Sequence, residues 1–473
     1  MKLDPELLRG LGLKDYVALD LETTGLDRTR AEVIELGAVR FVEEEPQERF
    51  NSLIRPEGQV PPQVIRLTGI EPEELGEAPS LETVLPQLVE FIGKMRLAAH
   101  NAEFDRGFLE AAAARLNIPL PQYDWLDTLL LARALLPRLS SHKLETLARE
   151  LGLPQEELHR AAADAERVGL LLIELLQRGL EVGLGALESL AALSPMGPRQ
   201  VFNGLLDYRR ERGLPGRPRA ERAPTWEPRP QGIEEDFRLD PDQIEQFFGS
   251  SGPLASRLTS FSERPEQIAM AREVARVINN SHFLIAEAGT GTGKSFAYLI
   301  PAVLWARGRG GDGRTVVSTN TKNLQDQLFK KDIPALKEVL GDFRAVLLKG
   351  RANYVCLQKW ESLLLEGAGG LGLGLEEELL SVPVWLEETE TGDLTENRGF
   401  WRGERARGLV RRINDDPDYC LGRDCPFHGN CFSIIARRAA READLVVVNH
   451  ALLLSDLEMG HGILGEYKYL IVD

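Results

Sequence analysis

The sequence predicts an α/β protein with two regions in which strands and helices alternate. Three observations support this prediction. Strand-like and helix-like segments alternate from residue 15 to 178, the alternation returns from residue 264 to 473, and the stretch from about 195 to 250 has no sustained apolar period. Alternation of this kind is typical of sheets with helices packed on their faces. At roughly 150 residues per domain, a chain of 473 residues has room for two to four domains.

Composition excludes several classes of protein. The net charge of −17 argues against a protein that coats phosphate backbones, so any contact with nucleic acid must use local basic surface. No apolar run approaches the roughly 20 residues that cross a bilayer, and the first ten residues lack the apolar core of a signal peptide. We therefore expect a cytoplasmic protein without membrane contact.

The first region predicts one compact α/β domain over residues 1–182. Residues 15–21 and 33–42 are apolar, contain β-branched side chains and are separated by the turn sequence TTGLD, which predicts two strands. Helical spacing of apolar residues recurs over residues 81–93, 103–116, 143–151 and 160–178.

A linker is predicted over residues 183–255. Its central sequence, GLPGRPRAERAPTWEPRPQG, is rich in Pro, Gly and Arg. Six Arg and two Glu lie between residues 209 and 222, and we favour a solvated hinge here over a specific DNA-binding patch.

The second region, residues 256–473, predicts a parallel sheet with helices on both faces. The segments FLIAEA, RTVVSTN, FRAVLLKG, LVVVNH and YLIVD are predicted strands, and NLQDQLF and residues 433–442 are predicted helices. All four cysteines of the chain lie in this region, and we assign residues 350–442 to an insertion that contains them.

Spaced carboxylates form the first candidate site. Asp20 and Glu22 end an apolar strand, where the period of two puts both side chains on one face. Asp105 and Asp164 each lie near the start of a predicted helix, and His159 precedes Asp164 by five residues. Any one of these residues alone would be an ordinary polar residue on the protein surface. Together, four acids could hold two divalent ions that activate water at a phosphodiester, with His159 as general base.

The order DLETTGL, HNAEFD and HRAAAD resembles that of the DEDDh exonucleases, the DnaQ-like proofreading family with a ribonuclease H-like fold. The resemblance covers residues of about 15–178. It implies that the four acids bind Mg²⁺ or Mn²⁺ and that His159 deprotonates the attacking water. It also implies removal of nucleotides from 3′ ends of DNA or RNA, with Thr23 and Thr24 beside the terminal nucleotide and Asn101 and Phe104 supporting the second motif.

A phosphate loop, AEAGTGTGKS at residues 286–295, forms the second candidate site. Gly289, Gly291 and Gly293 let backbone N–H groups converge on phosphates, while Lys294 would reach the β- and γ-phosphates and Ser295 would bind Mg²⁺. Ala288 replaces the first glycine of the usual pattern, as is typical of superfamily 2 helicases.

Flanking segments extend this resemblance to the XPD/DinG iron–sulfur helicases of superfamily 2, DinG type, over residues of about 261–473. It implies a RecA-like domain in which Arg264 and Gln267 read the adenine of ATP. Asp473 matches the first residue of the D-E-A-H motif, which is where the sequence ends. We therefore expect the helicase half to be incomplete.

The cysteine spacing, Cys356-x63-Cys420-x4-Cys425-x5-Cys431, suits either Zn²⁺ or a [4Fe–4S] cluster. The helicase resemblance favours the iron–sulfur cluster, because these positions match the insertion of that family. His428 is more compatible with a surface role than with a ligand role.

The sequence thus predicts a metal-dependent 3′–5′ exonuclease fused to an ATP-dependent 5′–3′ DNA helicase, for DNA repair or replication. Its expected partners are single-stranded DNA or DNA 3′ ends, with RNA possible, and ATP. Two alternatives remain at this point. One is a nucleotide- and DNA-binding scaffold or redox module without turnover, and the other is a proofreading subunit of a polymerase.

Overall fold

The computed structural model describes residues 2–155, 159–216, 220, 226, 237–257, 261–289, 292–309, 313–366, 376–400 and 404–473. The chain divides into two compact units, each assembled from three separate stretches of sequence. The first unit consists of Met1–Ala220, Lys359–Thr389 and Thr395–Arg412, and the second of Glu221–Gln358, Glu390–Leu394 and Ile413–Asp473.

The strands and helices follow in chain order. The strands are β1 (Asp15–Thr23), β2 (Val33–Val42), β3 (Glu45–Leu53), β4 (Arg96–Ala99), β5 (Trp125–Asp127), β6 (Thr315–Thr319), β7 (Ala345–Leu347), β8 (Leu445–Asn449) and β9 (Tyr469–Val472). The helices up to residue 212 are α1 (Pro5–Gly10), α2 (Pro62–Thr68), α3 (Pro72–Glu77), α4 (Leu81–Ile92), α5 (Ala102–Leu116), α6 (Thr128–Leu135), α7 (Leu144–Leu151), α8 (Ala161–Glu181), α9 (Leu184–Leu193) and α10 (Met196–Arg212). The later helices are α11 (Pro241–Phe248), α12 (Pro253–Arg257), α13 (Pro265–Asn280), α14 (Lys294–Gly308), α15 (Lys322–Gln327), α16 (Ile333–Leu340), α17 (Leu357–Glu366), α18 (Glu376–Leu379), α19 (Val382–Glu388), α20 (Glu404–Ile413), α21 (Phe432–Glu442) and α22 (His450–Glu458).

The first unit contains a five-stranded mixed sheet in the order β3-β2-β1-β4-β5. β1 is antiparallel to β2 and parallel to β4, and β2 is antiparallel to β3. Apolar side chains of β1, β2 and β4 pack with those of α4 and α5 in one buried cluster. The long helix α8 packs on β1 and β2. At Gly169 of α8 a Cβ would lie 2.1 Å from the Phe41 ring, so the glycine permits this close approach. The sheet therefore holds α8, which carries one of the candidate acids, directly against the strand that carries two others.

The predicted elements of residues 15–178 are present, and the strands β3, β4 and β5 and the helices α2, α3 and α6 were not predicted. β3 is a polar strand whose residues are mostly exposed, so it lacks the apolar alternation that marks a half-buried strand. β4 and β5 have only four and three residues, too few to show a period. These short strands extend the sheet on the side where Asp105 and its helix lie.

The predicted linker is largely helical in its first part. α9 and α10 fill residues 184–212, and Leu187, Leu190, Phe202 and Leu205 are buried between them and the rest of the first unit. α9 is apolar at most of its positions and α10 is interrupted by Gly, Pro and charged residues, so neither helix shows a clear helical period in the sequence. Most of the Pro- and Arg-rich stretch from 213 to 232 lies outside the described residues.

The predicted insertion 350–442 is divided between the two units. Its middle part packs in the first unit, because the apolar residues of α19, among them Trp385, contact α6 and α9. Backbone contacts fix this packing: Gly183 N–H donates to Glu387 Oε2 at 2.9 Å, and Arg398 N–H donates to Pro137 O at 2.9 Å. The ends of the insertion, with all four cysteines, belong to the second unit.

The second unit contains a parallel four-stranded sheet in the order β7-β8-β6-β9, with α13 and α14 packed in its core. The predicted strand FLIAEA at residues 283–288 is a correction, because this segment forms no strand in the described structure. Phe283 is 99% exposed and Ile285 is 101% exposed. An apolar, β-branched run forms a strand only where a neighbouring strand supplies hydrogen-bond partners, and this segment has no such neighbour among the described residues.

Across the described ranges, no helix combines the length and the apolar character that crossing a bilayer requires.

Candidate active site and nucleotide site

Strand β1 places two of the candidate acids side by side. Asp20 and Glu22 lie two residues apart near its carboxyl end, where they pair in register with Gly37 and Glu35 of β2. The turn that follows is closed by Thr24, whose hydroxyl accepts a hydrogen bond from Glu32 N–H at 2.8 Å. The ladder and this turn together fix the direction in which both carboxylates point.

Asp105 reaches the same place from helix α5. The helix begins after Asn101, which adopts a left-handed conformation with φ of 75°. Asp127, at the end of β5, accepts hydrogen bonds from the backbone N–H groups of Asn101 and Ala102 at 3.2 and 3.1 Å. Asp105 itself is 3% exposed, and the backbone N–H of Leu21 hydrogen-bonds its carboxyl.

His159 and Asp164 are joined at the start of helix α8. His159 has a positive φ of 61°, uncommon for a residue with a side chain, and its N–H donates to Asp164 Oδ2 at 3.1 Å. Arg167, one turn along the helix, donates to the other oxygen of Asp164. One ligand atom from each of Glu22, His159 and Asp164 lies within 4.8 Å of the other two, so these three side chains could share one cation.

The acids of this cluster repel one another in a poorly hydrated setting. Burial raises the pKa of Asp20 well above its ordinary value, and the charges of Asp105, Asp164 and Glu22 raise that pKa further. Burial, followed by the charge of Asp164, raises the pKa of Glu22 to about 8. The pKa values of Asp105 and Asp164 are also raised, in both cases chiefly by burial. Carboxylates arranged in this way favour divalent cations, which remove the repulsion and prefer oxygen ligands.

The structure thus brings together all five residues that the sequence pattern selected, Asp20, Glu22, Asp105, His159 and Asp164. Two further carboxylates of the site were missed. Asp127 was signalled by its place before Thr128, where an Asp after a short apolar run predicts a helix N-cap. Glu35 was signalled by a charge inside the apolar strand VIELGAV, and it is completely buried.

The nucleotide site of the second unit is built around the start of α14. Gly293 has φ of 80°, and a Cβ there would lie 2.2 Å from Gln267 Nε2. Gln267 donates instead to Gly293 O at 2.8 Å, which joins the predicted adenine-reading segment to the loop. Lys294 is the first residue of α14. Gly289 is exposed, and Gly291 lies outside the described residues.

Ser295 and Asp473 meet through Tyr298. Tyr298 donates to Asp473 Oδ2 at 2.9 Å, and the Ser295 side chain hydrogen-bonds both Tyr298 and Asp332. Asp332 is 6% exposed, and burial raises its pKa. The structure therefore places Ser295, the predicted Mg²⁺ ligand of the phosphate loop, and Asp473, which matches the first residue of the D-E-A-H motif, in one hydrogen-bonded network. Arg264 lies at the N-cap of α13, three residues before Gln267.

Three of the four cysteines share one local geometry. Cys420, Cys425 and Cys431 each end a three-residue 3₁₀ turn with extended backbone, and each N–H donates to the carbonyl three residues earlier. Cys356 is brought next to the segment that leads to them, because its N–H donates to Ile413 O at 2.7 Å. All four lie in the described ranges, and none of these four forms a disulfide. Four thiols, three of them on short turns, fit a metal or an iron–sulfur cluster by donor type.

Two family models match this chain. The RNase_T model, described as "Exonuclease", matches residues 17–172, and the DEAD/DEAH box helicase model matches residues 268–355. The first match spans all five clustered residues, and the second includes the phosphate loop.

Curated relatives match over larger parts of the chain. "3'-5' exonuclease DinG" of Bacillus subtilis is 30% identical over 452 residues, which are 93% of this chain and 47% of that protein. "ATP-dependent DNA helicase YoaA" of Haemophilus influenzae is 39% identical over 226 residues, 48% of this chain and 34% of that protein. The chain therefore spans about half or less of the length of these relatives.

Among solved structures, "Exonuclease X in complex with 5' overhanging duplex DNA" is 25% identical, covers 34% of this chain and 90% of that chain, and has a TM-score of 0.29. The family matches identify an exonuclease domain at residues 17–172 followed by a DEAD/DEAH box helicase domain at residues 268–355, in a sequence similar along most of its length to 3′–5′ exonucleases named DinG.

Proposed function

We propose that the first unit is a metal-dependent 3′–5′ exonuclease that acts on DNA in repair or replication. The observation that carries this proposal is the convergence of Asp20, Glu22, Asp105, His159 and Asp164 from three separate elements, where burial and mutual repulsion raise the pKa values of the acids. A cluster of like charges is costly to fold and is typical of a functional site.

The four acids would hold two divalent ions, Mg²⁺ or Mn²⁺, since oxygen-rich sites suit both. Bound ions of this type activate a water molecule and stabilise the charge on the leaving oxygen. Arg167 holds Asp164 in place, and the Asp127 contacts hold the helix that carries Asp105.

His159 supplies the acid–base chemistry in this proposal. A water oxygen forms a bond to the terminal phosphorus while its proton passes to a ring nitrogen of His159. The bond from phosphorus to the 3′ oxygen breaks, and that oxygen takes up a proton to become the new 3′ hydroxyl. One nucleoside 5′-monophosphate leaves for each water consumed. The backbone bond from His159 N–H to Asp164 keeps the ring beside the carboxylates during this step.

A digestion assay tests the exonuclease proposal. The purified chain is incubated with 5′-labelled single-stranded DNA and either Mg²⁺ or Mn²⁺, beside the variant Asp20→Asn and with RNA in a parallel lane. We expect a ladder of shortening DNA that both EDTA and Asp20→Asn abolish. Asp15→Asn, at the other end of the same strand, is the matched control and should digest as the unaltered chain does. A shortening ladder on RNA alone would overturn the proposed substrate, and no digestion of either would overturn the activity.

We further propose that the second unit belongs to an ATP-dependent 5′–3′ DNA helicase. The contacts that join Gln267 to Gly293, and Ser295 through Tyr298 to Asp473, support a site for ATP with Mg²⁺. The relatives named as DNA helicases support DNA as the strand on which it moves. The assay is binding of a fluorescent ATP analogue, which Lys294→Ala should weaken by about 100-fold, since a charge-assisted contact to phosphate is lost. Equal binding by the variant would overturn the assignment of the loop.

The four cysteines are proposed to bind a [4Fe–4S] cluster. The turn geometry shared by Cys420, Cys425 and Cys431 supports a common site. The hydrogen bond from Cys356 N–H to Ile413 O also supports it. Iron and acid-labile sulfide, measured on protein purified without oxygen, should both reach about four per chain and fall together in Cys425→Ser. Bound zinc without sulfide would overturn the cluster. A cytoplasmic location accords with these functions and remains a prediction.

A further inference from the structure

Glu35 is a fully buried carboxylate near the start of strand β2, and none of the functions described above uses it. It lies directly across the strand pair from Glu22. A buried charge is tolerated only when it is paired and hydrogen-bonded, because burial removes its hydration. The partners of Glu35 therefore indicate why a charge is kept at this place.

The partners of Glu35 are the two residues that follow His159. Arg160 binds its Oε1 through Nη2 at 2.9 Å and through Nε at 3.2 Å. The backbone N–H of Ala161 donates to Oε2 at 3.0 Å. Ala161 is the first residue of α8, where an acidic side chain also interacts favourably with the helix dipole.

A second contact between β2 and the same helix start lies two residues further along the strand. A Cβ at Gly37 would lie 2.0 Å from the carbonyl carbon of Ala161, so the backbone of α8 rests directly on the strand there. Gly37 pairs in register with Asp20, as Glu35 pairs with Glu22. One strand therefore touches both halves of the site: the acids of β1 through the ladder, and the His159–Asp164 segment through Glu35 and Gly37.

We propose that Glu35 is a positioning residue of the exonuclease, which holds Arg160 and Ala161 so that His159 and Asp164 face Asp20 and Glu22. This inference rests on the proposed exonuclease function. Glu35 has no place among the cation ligands, because Arg160 and Ala161 already occupy its oxygens. It acts through the segment it holds, as residues that orient metal ligands do.

Two other roles for Glu35 are distinguishable from positioning. If it acted only through its negative charge, Glu35→Gln would weaken cation binding, and Arg160→Gln, which removes a positive charge, would strengthen it. If it only stabilised the fold, both variants would lower the unfolding temperature and leave the kinetics of the folded fraction unchanged. Positioning predicts that both variants lower kcat and that both require more cation.

The experiment measures kcat, KM for single-stranded DNA and the Mn²⁺ concentration at half-maximal rate for the full chain and for Glu35→Gln, Arg160→Gln and the double variant. We expect kcat to fall by about 10- to 100-fold in each single variant, with KM within about threefold. The kcat of the double variant should be no lower than that of the less active single variant, because both residues act through one contact. The Mn²⁺ requirement should rise in all three.

A second ion pair between the same strands provides the matched control. Arg40 on β2 binds Asp15 on β1 in a bidentate pair, with distances of 2.9 and 2.8 Å, at the far end of the ladder from the site. Asp15→Asn and Arg40→Gln should change kcat by less than about twofold, even where they lower the unfolding temperature.

The other outcomes contradict either the positioning role of Glu35 or the proposed exonuclease function. Opposite shifts of the Mn²⁺ requirement in the two single variants, or kcat values equal to that of the unaltered chain, would overturn positioning. Where Glu35→Gln does not fold, Arg160→Lys retains the charge but not the bidentate geometry, and its kcat should fall by about 3- to 10-fold, since lysine cannot replace the planar fork. Failure of the unaltered chain to digest DNA is a failure of the proposed function and is scored separately.

Discussion

The two candidate sites of this chain are held together in different ways. In the first unit, the acids of β1, the helix start at Asp105 and the segment from His159 to Asp164 are all fixed by a ladder or by backbone contacts to a strand. In the second unit, residues 283–288 have no strand neighbour within the described ranges, and the start of α14 is held by side-chain hydrogen bonds such as those of Gln267 and Tyr298.

The first site therefore depends on the register of its strands, and the second depends on single side-chain contacts. Paired strands are held by many hydrogen bonds, so a substitution at the edge of the pairing should change the site little. A substitution that displaces a whole strand should displace every site residue that depends on that strand. A loop tied by one side chain depends on that side chain. The predictions below address this difference, beginning with the largest expected effect.

Removing one acid should abolish exonuclease activity without loss of stability. Asp105→Asn is expected to lower the digestion rate by at least about 1000-fold, equivalent to about 4 kcal/mol, because one ligand of the cations is lost. In EDTA the variant should unfold at the same or a higher temperature, since a member of a mutually repelling group becomes neutral. Glu103→Gln, an exposed acid on the same helix, is the control and should digest normally. A lower unfolding temperature with retained digestion would contradict this interpretation.

Moving the ladder should disturb the first site as a whole. Gly37→Ala forces a methyl group into the backbone of Ala161, and we expect a loss of about 3 kcal/mol or more in the free energy of unfolding by urea. Digestion should fall with it, because His159 and Asp164 shift away from β1. Gly185→Ala on α9, where a Cβ meets nothing within 4 Å, should cost nothing and digest normally. Equal stability of the two variants would show that α8 is not held by β2.

The burial of Glu22 and its repulsion by neighbouring acids should appear as a dependence of stability on pH. With a pKa raised to about 8, Glu22 binds its proton more tightly in the folded chain than in the unfolded chain, where the pKa is 4.5. Its contribution to stability is therefore complete below about pH 4.5 and is lost as the pH rises to about 8.

In EDTA, the free energy of unfolding of the unaltered chain relative to Glu22→Gln should fall by about 2 kcal/mol between those limits, a value reduced for partial solvent access. Saturating Mn²⁺ should remove the slope. A flat line for Glu22→Gln would mean that neither burial nor the neighbouring acids raise the pKa of that carboxylate.

The smallest effect is expected at the nucleotide site. Tyr298→Phe removes the hydrogen bond to Asp473 and should lower stability by about 1 kcal/mol and affinity for an ATP analogue by about threefold. Tyr208→Phe removes a similar bond, to Asp4 at 2.8 Å in the first unit, and should lower stability alike with no change in ATP affinity. If Tyr298→Phe leaves ATP affinity unchanged, the contact from Tyr298 to Asp473 has no part in nucleotide binding.

Sequence reasoning was most effective where chemistry and local periodicity coincide. The spacing of Asp20, Glu22, Asp105, His159 and Asp164 predicted a cluster that the structure brings together, and the strands and helices that carry them lie where expected. Glu35 was missed because a single sequence shows a buried charge only as an irregularity in an apolar strand. Its partner, Arg160, is 125 residues away, and local patterns carry no information about such a contact.

The predictions that failed in the second region concern tertiary contacts, which a local sequence pattern does not show. FLIAEA has the composition of a strand, yet a strand needs a neighbour, and composition does not show whether one is present. The division of the insertion was missed for a related reason. The apolar face of α19 predicts burial but not the surface against which it packs.

The path of the backbone through the two units has a practical consequence. The chain passes from one unit to the other five times, after Ala220, Gln358, Thr389, Leu394 and Arg412. Cutting the chain after Ala220 would therefore not release a complete first unit, since the fragment would lack α19 and the other late segments that pack in that unit. A protease that nicks any single crossing would leave both units with all their parts. Because each unit consists of three separate stretches of the chain, producing either unit alone will require joining its three stretches in a new sequence.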